Sequence, residues 1–184
     1  MKKTIAMASA ILMFIACSNP KTDDKPVVAN DSAVAAPAKQ MPTEIADQKY
    51  VDIGKMGNAS LSSGNIDAWM SSFADNAVYI WNNGDSLSGK PAIAAYWKQR
   101  RGSVIDSISF SLDIWLPVKV NQPQNAAHLP GVWLLGWYQT KAKYKTGKSM
   151  AQWIHTAMHF DANDKIDRVI QFLDRAPINA ATKK

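Results

Sequence analysis

A single cysteine, Cys17, stands in 184 residues. No internal disulfide can form and no thiolate cluster can hold zinc, so packing alone must hold the core. Histidine is nearly as scarce, with three copies. His155 and His159 lie four residues apart in a stretch with the period of a strand. At roughly 3.3 Å per residue they are about 13 Å apart and cannot share one ion, so neither a metal nor a cofactor is expected. Acidic residues are in deficit, 15 against 21 Lys and Arg, for a net charge of +6. The surplus is not spread as a nucleic-acid footprint. Lys141, Lys143, Lys145 and Lys148 crowd around Gly147, which reads as a solvated hairpin tip. A nucleic-acid face needs a broader basic surface with aromatic platforms, so no nucleic-acid partner is expected. Long apolar runs are missing too; the stretch Thr4 to Ala16 is too short to span a bilayer as a permanent helix.

That short run has its own meaning. Met1-Lys2-Lys3, the apolar stretch and the small Ala16 have the order of a secretory signal. A cysteine immediately after the small residue resembles the bacterial lipobox, in which the thiol is acylated and becomes the new N-terminus, although Phe14 stands where leucine is usual. An ordinary signal peptide containing a cysteine is the alternative. The resemblance implies residues 1–16 as a lipoprotein signal peptide and Cys17 as the lipidation site. Several acyl chains would then hold the protein at a membrane of the bacterial cell envelope, periplasmic or surface-exposed. Residues 18–42 carry four prolines and no helical or strand period. Such a segment is a tether of roughly 25 to 30 Å as a flexible coil. Within it, Lys21-Thr22-Asp23-Asp24 resembles the short Lys-plus-acidic signals of surface-exported lipoproteins, with a solvated linker as the competing reading.

Residues 43–184 are the right size for one domain with a single core. Thr43 after Pro42 is placed to cap a first helix with Ala46, Tyr50, Ile53, Gly57 and Leu61 along one face, weakened by Gly54 and Gly57. Asn65 is placed to cap a second helix around Ile66, Trp69, Met70 and Phe73. Ala77–Trp81 reads as a strand followed by the turn Asn83-Gly84, and Pro91 opens a third helix. Beyond Gly102 the period drops to two. Ile108, Phe110, Leu112, Ile114 and Leu116 alternate with Ser107, Ser109, Ser111, Asp113 and Trp115, predicting a strand with the first set buried and the second outside. Residues 131–144, 149–160 and 166–174 read as three further strands. Helices first and antiparallel strands after make an α+β domain with helices on one sheet face.

Several segments, in this order, carry a resemblance: Ser63-Gly64-Asn65-Ile66-Asp67-Ala68-Trp69, Phe73-Ala74-Asp75-Asn76-Ala77, Ser88-Gly89-Lys90-Pro91-Ala92-Ile93, and His159-Phe160-Asp161 through Lys165-Ile166 to Phe172-Leu173-Asp174. Together they resemble the SnoaL-like branch of the NTF2-like superfamily over nearly all of 43–175. The resemblance implies about three N-terminal helices packed on a curved, mostly antiparallel sheet, forming a cone with an apolar cavity and pairing as a homodimer through the outer sheet face. It implies no single activity. The general-base aspartate of the ketosteroid isomerases falls on Trp81, their oxyanion tyrosine on Gly57, and their protonated aspartate on Thr156. The aspartate base of the polyketide cyclases falls on Gln171. Trp81 and Gln171 cannot act as the general base, and none of the four positions holds the residue that these known mechanisms require.

With Phe160 setting the register, Ile154, Thr156 and Met158 face inward and His155 and His159 outward. Asp113 shares the alternation of Ser109 and Ser111, so a catalytic role would need the register to slip by one residue. Asp174 ends the last strand as a capping acceptor. All seven tryptophans lie between 69 and 153. Trp69, Tyr79, Trp81, Trp97, Thr156, Met158 and Gln171 are expected to surround the cavity, against the plain alternative of core packing. The leading expectation is a lipid-anchored domain that binds a small, largely apolar ligand without the usual family acids. The alternatives are an isomerase, dehydratase or cyclase using Tyr79, Asp113 or a water on Gln171, and a dimerising module acting through the outer face with Trp115 and the histidines.

Overall fold

The computed structural model describes residues 40–125 and 129–183. Cys17, the leader and the tether as far as residue 39 lie outside them. The ordered unit starts slightly before Thr43, because the amides of Asn121 and Gln122 donate to the Pro42 carbonyl at 2.9 and 3.1 Å.

Seven strands form one sheet in the order β1-β4-β5-β6-β7-β2-β3. They are β1 Thr43–Ile45, β2 Phe73–Trp81, β3 Ser86–Ser88, β4 Ile105–Val120, β5 Gly131–Tyr144, β6 Ser149–Phe160 and β7 Ile166–Phe172. Only β2 and β7 run parallel; every other neighbouring pair is antiparallel. The helices are α1 Lys49–Ser63, α2 Ile66–Met70, α3 Lys90–Gln99 and α4 Arg175–Thr182. This is the expected α+β arrangement, helices on a curved, mostly antiparallel sheet.

Local chemistry explains most boundaries. The Asn65 side chain accepts from the Ala68 amide at 3.1 Å, capping α2 as its position promised. Pro91 sits in the first turn of α3, where its missing amide hydrogen matters least. Asp174 accepts from the Ala176 amide at 2.8 Å and so caps α4, a helix the sequence reading left out. Thr43 caps nothing. Its segment adds a short edge strand to Val118–Val120, and α1 starts six residues later behind Asp47, whose side chain accepts from the Lys49 amide at 2.7 Å.

The central correction lies in β4. Ser111 pairs with Gln139 but Ile114 pairs with Trp137, so β4 holds one extra residue, and Leu112 takes the positive φ of 53° that accommodates it. The bulge swaps the faces. Ile108 and Phe110 point to the helices, but beyond the bulge Trp115 does, and Leu112, Ile114 and Leu116 face solvent at 65, 59 and 38% exposure. Trp115 therefore belongs to the core. A Cβ built on Gly54 of α1 would lie 2.9 Å from its ring, and one on Gly136 of β5 would lie 2.4 Å from it. Only glycine on both sides leaves the slot that this indole fills.

The core between helices and sheet is aromatic and aliphatic: Phe73, Tyr79, Ile93, Leu134, Ile166 and Val169 are all essentially inaccessible. On β6, Ile154, Thr156, Met158 and Phe160 face inward and are buried, in the register read from the sequence. His155 faces outward, stacked between Trp137 and Phe172 at 4.6 and 5.6 Å. His159 is a correction. It is buried under Trp133 and the Pro130 carbonyl, with Nδ1 2.6 Å from the Asp167 carboxylate, so it offers no outer-face contact.

The β6–β7 turn is tied to α1 by Asp164, whose carboxylate accepts from Lys49 Nζ at 2.7 Å and from the Tyr50 hydroxyl at 2.5 Å. Lys49 first, and then Tyr50, hold this carboxyl below its ordinary range. A lowered folded value means that the contribution is present above the unfolded carboxylate value and disappears as pH falls through the folded one. Asp164→Asn is expected to leave a small stability difference at neutral pH that closes below about pH 4, measurable as melting temperature against pH.

Candidate functional site: an aromatic cavity with orphaned polar groups

A cavity of about 140 Å³ opens between the C-terminal end of α3, the inner faces of β4, β5 and β6, the end of β7, and α4. Its walls are mostly apolar. Trp81, Tyr96 and Trp97 form one side, Phe110, Ile108 and Tyr138 another, and Ile178 of α4 closes an edge. The rings brace one another: Trp81 lies 5.1 Å from Tyr96, and Tyr96 meets Trp97 edge-on at 5.4 Å.

Two of the lining residues carry a buried polar atom, essentially without accessible surface, that has no hydrogen-bond partner among the described residues: the Trp97 indole N–H and the Thr140 hydroxyl. Thr140 is 1% exposed and Trp97 9%. Leaving such a group unpaired costs about 1 to 3 kcal/mol, so most buried polar groups find partners. A third polar cluster is satisfied. The Tyr138 hydroxyl and Thr156 Oγ1 lie 2.7 Å apart, and Gln171 Nε2 donates to Thr156 Oγ1 at 3.4 Å.

Two guanidinium groups reach the cavity. Arg175 sits 5.8 Å over the Trp81 ring and is neutralised by Asp85 at 2.8 Å. Arg100 opens a π-helical turn, Arg100–Val104, that continues α3 directly; such turns recur at functional sites. Its guanidinium lies 5.7 Å from the Tyr96 ring centre, half-buried, with no ion pair or hydrogen bond to a described residue. Among the described residues, no Asp, Glu or His lines the cavity. Burial pushes the Tyr138 phenol up, partly offset by its bonds to Thr156 and Gln171. Burial likewise raises Tyr144, while Arg100 beside it pulls it down. At neutral pH both phenols stay protonated and can donate.

Of the seven residues expected around the cavity, Trp81, Trp97 and Gln171 line it. Thr156 stands one hydrogen bond behind the wall, while Trp69, Tyr79 and Met158 pack in the core. Tyr79, also a candidate for proton transfer, is screened by Trp81 and Trp97 at 4.8 and 6.1 Å, and burial raises its phenol well above the usual value. Gly57, where the resemblance looks for an oxyanion tyrosine, lies under the Trp69 indole; a Cβ there would come 2.8 Å from Nε1.

Asp113 is displaced by the bulge. Its expected place beside Ser109 and Ser111 is wrong. It turns towards α1, forms an exposed groove with Lys55, Asn58 and Ser62, and accepts from Trp115 Nε1 at 2.6 Å. It does not line the cavity. Sequence reasoning missed Arg100, Tyr138, Thr140 and α4. The alternation of β5 could have found Tyr138 and Thr140, since Leu134, Tyr138, Thr140, Ala142 and Tyr144 share one buried face. The i, i+4 spacing of Tyr96 and Arg100 could have placed the arginine.

No protein-family model matches the sequence, and no curated protein matches it. Solved structures do match in shape. A candidate polyketide cyclase from Xanthomonas campestris pv. campestris gives a TM-score of 0.59 at 14% identity, over 74% of this chain and 98% of that one. A candidate isomerase from Bacillus subtilis gives 0.57 at 16%, over 73% and 92%. An LEH-like epoxide hydrolase from M. tuberculosis gives 0.52 at 11%, over 73% and 90%. At these identities the likeness concerns the backbone, and an NTF2-like protein from Burkholderia pseudomallei, at TM-score 0.58, shares it. The described residues of this chain, 40–125 and 129–183, have the NTF2-like fold.

Proposed function

We propose that the domain binds a small, largely apolar molecule in the aromatic cavity, without a carboxylate or imidazole acting on it. The observation that carries this reading is the cavity itself, about 140 Å³ walled mostly by aromatic and aliphatic side chains, with no Asp, Glu or His among its described lining residues. A small ligand buries its apolar part against these rings and meets the few polar side chains of the lining with one or two polar atoms. Structures of this fold described as cyclase, isomerase and epoxide hydrolase make a small organic ligand a natural occupant. The test is native mass spectrometry of the protein isolated from its own membrane. One small molecule retained per protomer supports the reading; a chain of bare mass that also binds no small aromatic on titration contradicts it.

We further propose that a lipid anchor on Cys17 holds this activity at the cell envelope, a reading supported by the order of residues in the leader. Cys17→Ser is expected to abolish labelling by a fatty-acid analogue and to release the protein from the membrane fraction. Persistent labelling would reject the anchor.

The outer sheet face supports self-association as a homodimer. Ile114, Trp137, His155 and Phe172 pair in register as one row across β4 to β7, and Trp153 adds to it at 52% exposure. A contiguous apolar face of this kind marks an interaction surface. It differs from the face read from the sequence, because the bulge brings Ile114 and Leu116 outward in place of Trp115. Sedimentation at high micromolar concentration is expected to show a dimer, and the double substitution Trp137→Glu/Phe172→Glu a monomer. A monomeric parent protein would remove this part of the proposal.

A further inference from the structure

The cavity is unbalanced in charge. No Asp, Glu or His is among its described lining residues, while two arginines, Arg100 and Arg175, are. The two guanidinium groups are not equivalent. Arg175 already has Asp85 at 2.8 Å, whereas Arg100, lying over Tyr96 and beside Tyr144, has no acidic partner among the described residues. A half-buried guanidinium without a counter-ion is poorly hydrated and keeps a planar fork of donors pre-set for a carboxylate.

Size limits the remainder of the ligand. A cavity of about 150 Å³ holds a benzene ring, and this one measures about 140 Å³. The rings of Trp81, Trp97 and Phe110 offer edges and faces to a flat partner.

We infer that the cavity recognises a small aromatic carboxylate, its ring against Trp81, Trp97 and Phe110 and its carboxylate on Arg100. This rests on the binding role proposed above and adds the charge of the ligand and the residue that reads it. Arg100 is a recognition residue, and no bond is made or broken in the ligand.

Calorimetric titration with benzoate, the nearly isosteric neutral benzamide, and toluene tests this on the parent protein, Arg100→Gln, Arg100→Lys and Arg175→Gln, each checked for native circular dichroism. Benzoate is expected to bind about 10- to 100-fold more tightly than benzamide, the range of a charge-assisted hydrogen-bonded pair. In Arg100→Gln the benzoate affinity falls to that of benzamide while benzamide and toluene bind as before. Arg100→Lys keeps part of the preference, a point charge without the fork, and Arg175→Gln keeps nearly all of it. If Arg100→Gln fails to fold, the benzoate-to-benzamide ratio in the parent and in Arg100→Lys decides. Benzamide binding as tightly as benzoate, or a benzoate preference untouched at Arg100, overturns the inference and leaves the binding role standing. Failure of all three probes to bind overturns both.

Discussion

Gly136→Ala is expected to destabilise the domain by about 3 kcal/mol, the upper part of the usual range for overpacking. The new methyl would meet Trp115 at 2.4 Å, on a strand paired to both neighbours, and the ring cannot retreat because Gly54 of α1 closes its other side. Trp115→Ala alone should cost about 3 to 5 kcal/mol, as large aromatic truncations do. The two substitutions should not add. Removing the ring relieves the clash, so the double variant should be no less stable than Trp115→Ala by more than a few tenths of a kcal/mol. Urea unfolding of the three variants measures this, and strict additivity would mean that Trp115 does not occupy the slot between the two glycines.

The second large effect separates two threonines that a sequence treats alike. Thr156→Val removes the partner of the Tyr138 hydroxyl, a group buried with its ring at 3% exposure, and of the Gln171 amide as well. Leaving a buried phenol unsatisfied should cost about 1 to 3 kcal/mol. Thr140→Val removes a hydroxyl without a partner, so the unliganded domain should keep or slightly raise its melting temperature. Equal melting-temperature losses for both variants would mean that Thr140 is an ordinary core residue.

These contacts mark what a single sequence conveys and what it hides. Strands β5, β6 and β7 were readable from their alternation and from the turns at Gly147 and Asp161–Asp164, because register and turn chemistry are local. The first edge strand was not, since Thr43 before a helical period looks like a cap and only the free edge of β4 makes its segment extended. The β4 bulge was hidden for a sharper reason. Its apolar alternation continues unbroken through Leu112, and leucine gives no sign of a positive φ, so inner and outer faces exchange without any change of pattern. Gly54 and Gly57 looked like weaknesses in α1; each is the floor under a tryptophan that the chain brings in from 61 and 12 residues away. The same distance in sequence explains the cavity. Trp81, Trp97 and Gln171 were nameable as aromatic or amide exceptions on inward positions, but Arg100 gains its meaning from having no acidic partner among the described residues, and α4 from the space it covers.

The most direct test of the cavity as the functional site is an amide-resolved NMR titration of the domain with toluene. Shifts centred on Thr140, Tyr138, Ile108 and the α3–π-turn junction at Arg100, saturating with one molecule per chain, are the predicted result. Shifts centred on Trp137, Trp153 and Phe172 of the outer face, or none at all, would contradict it.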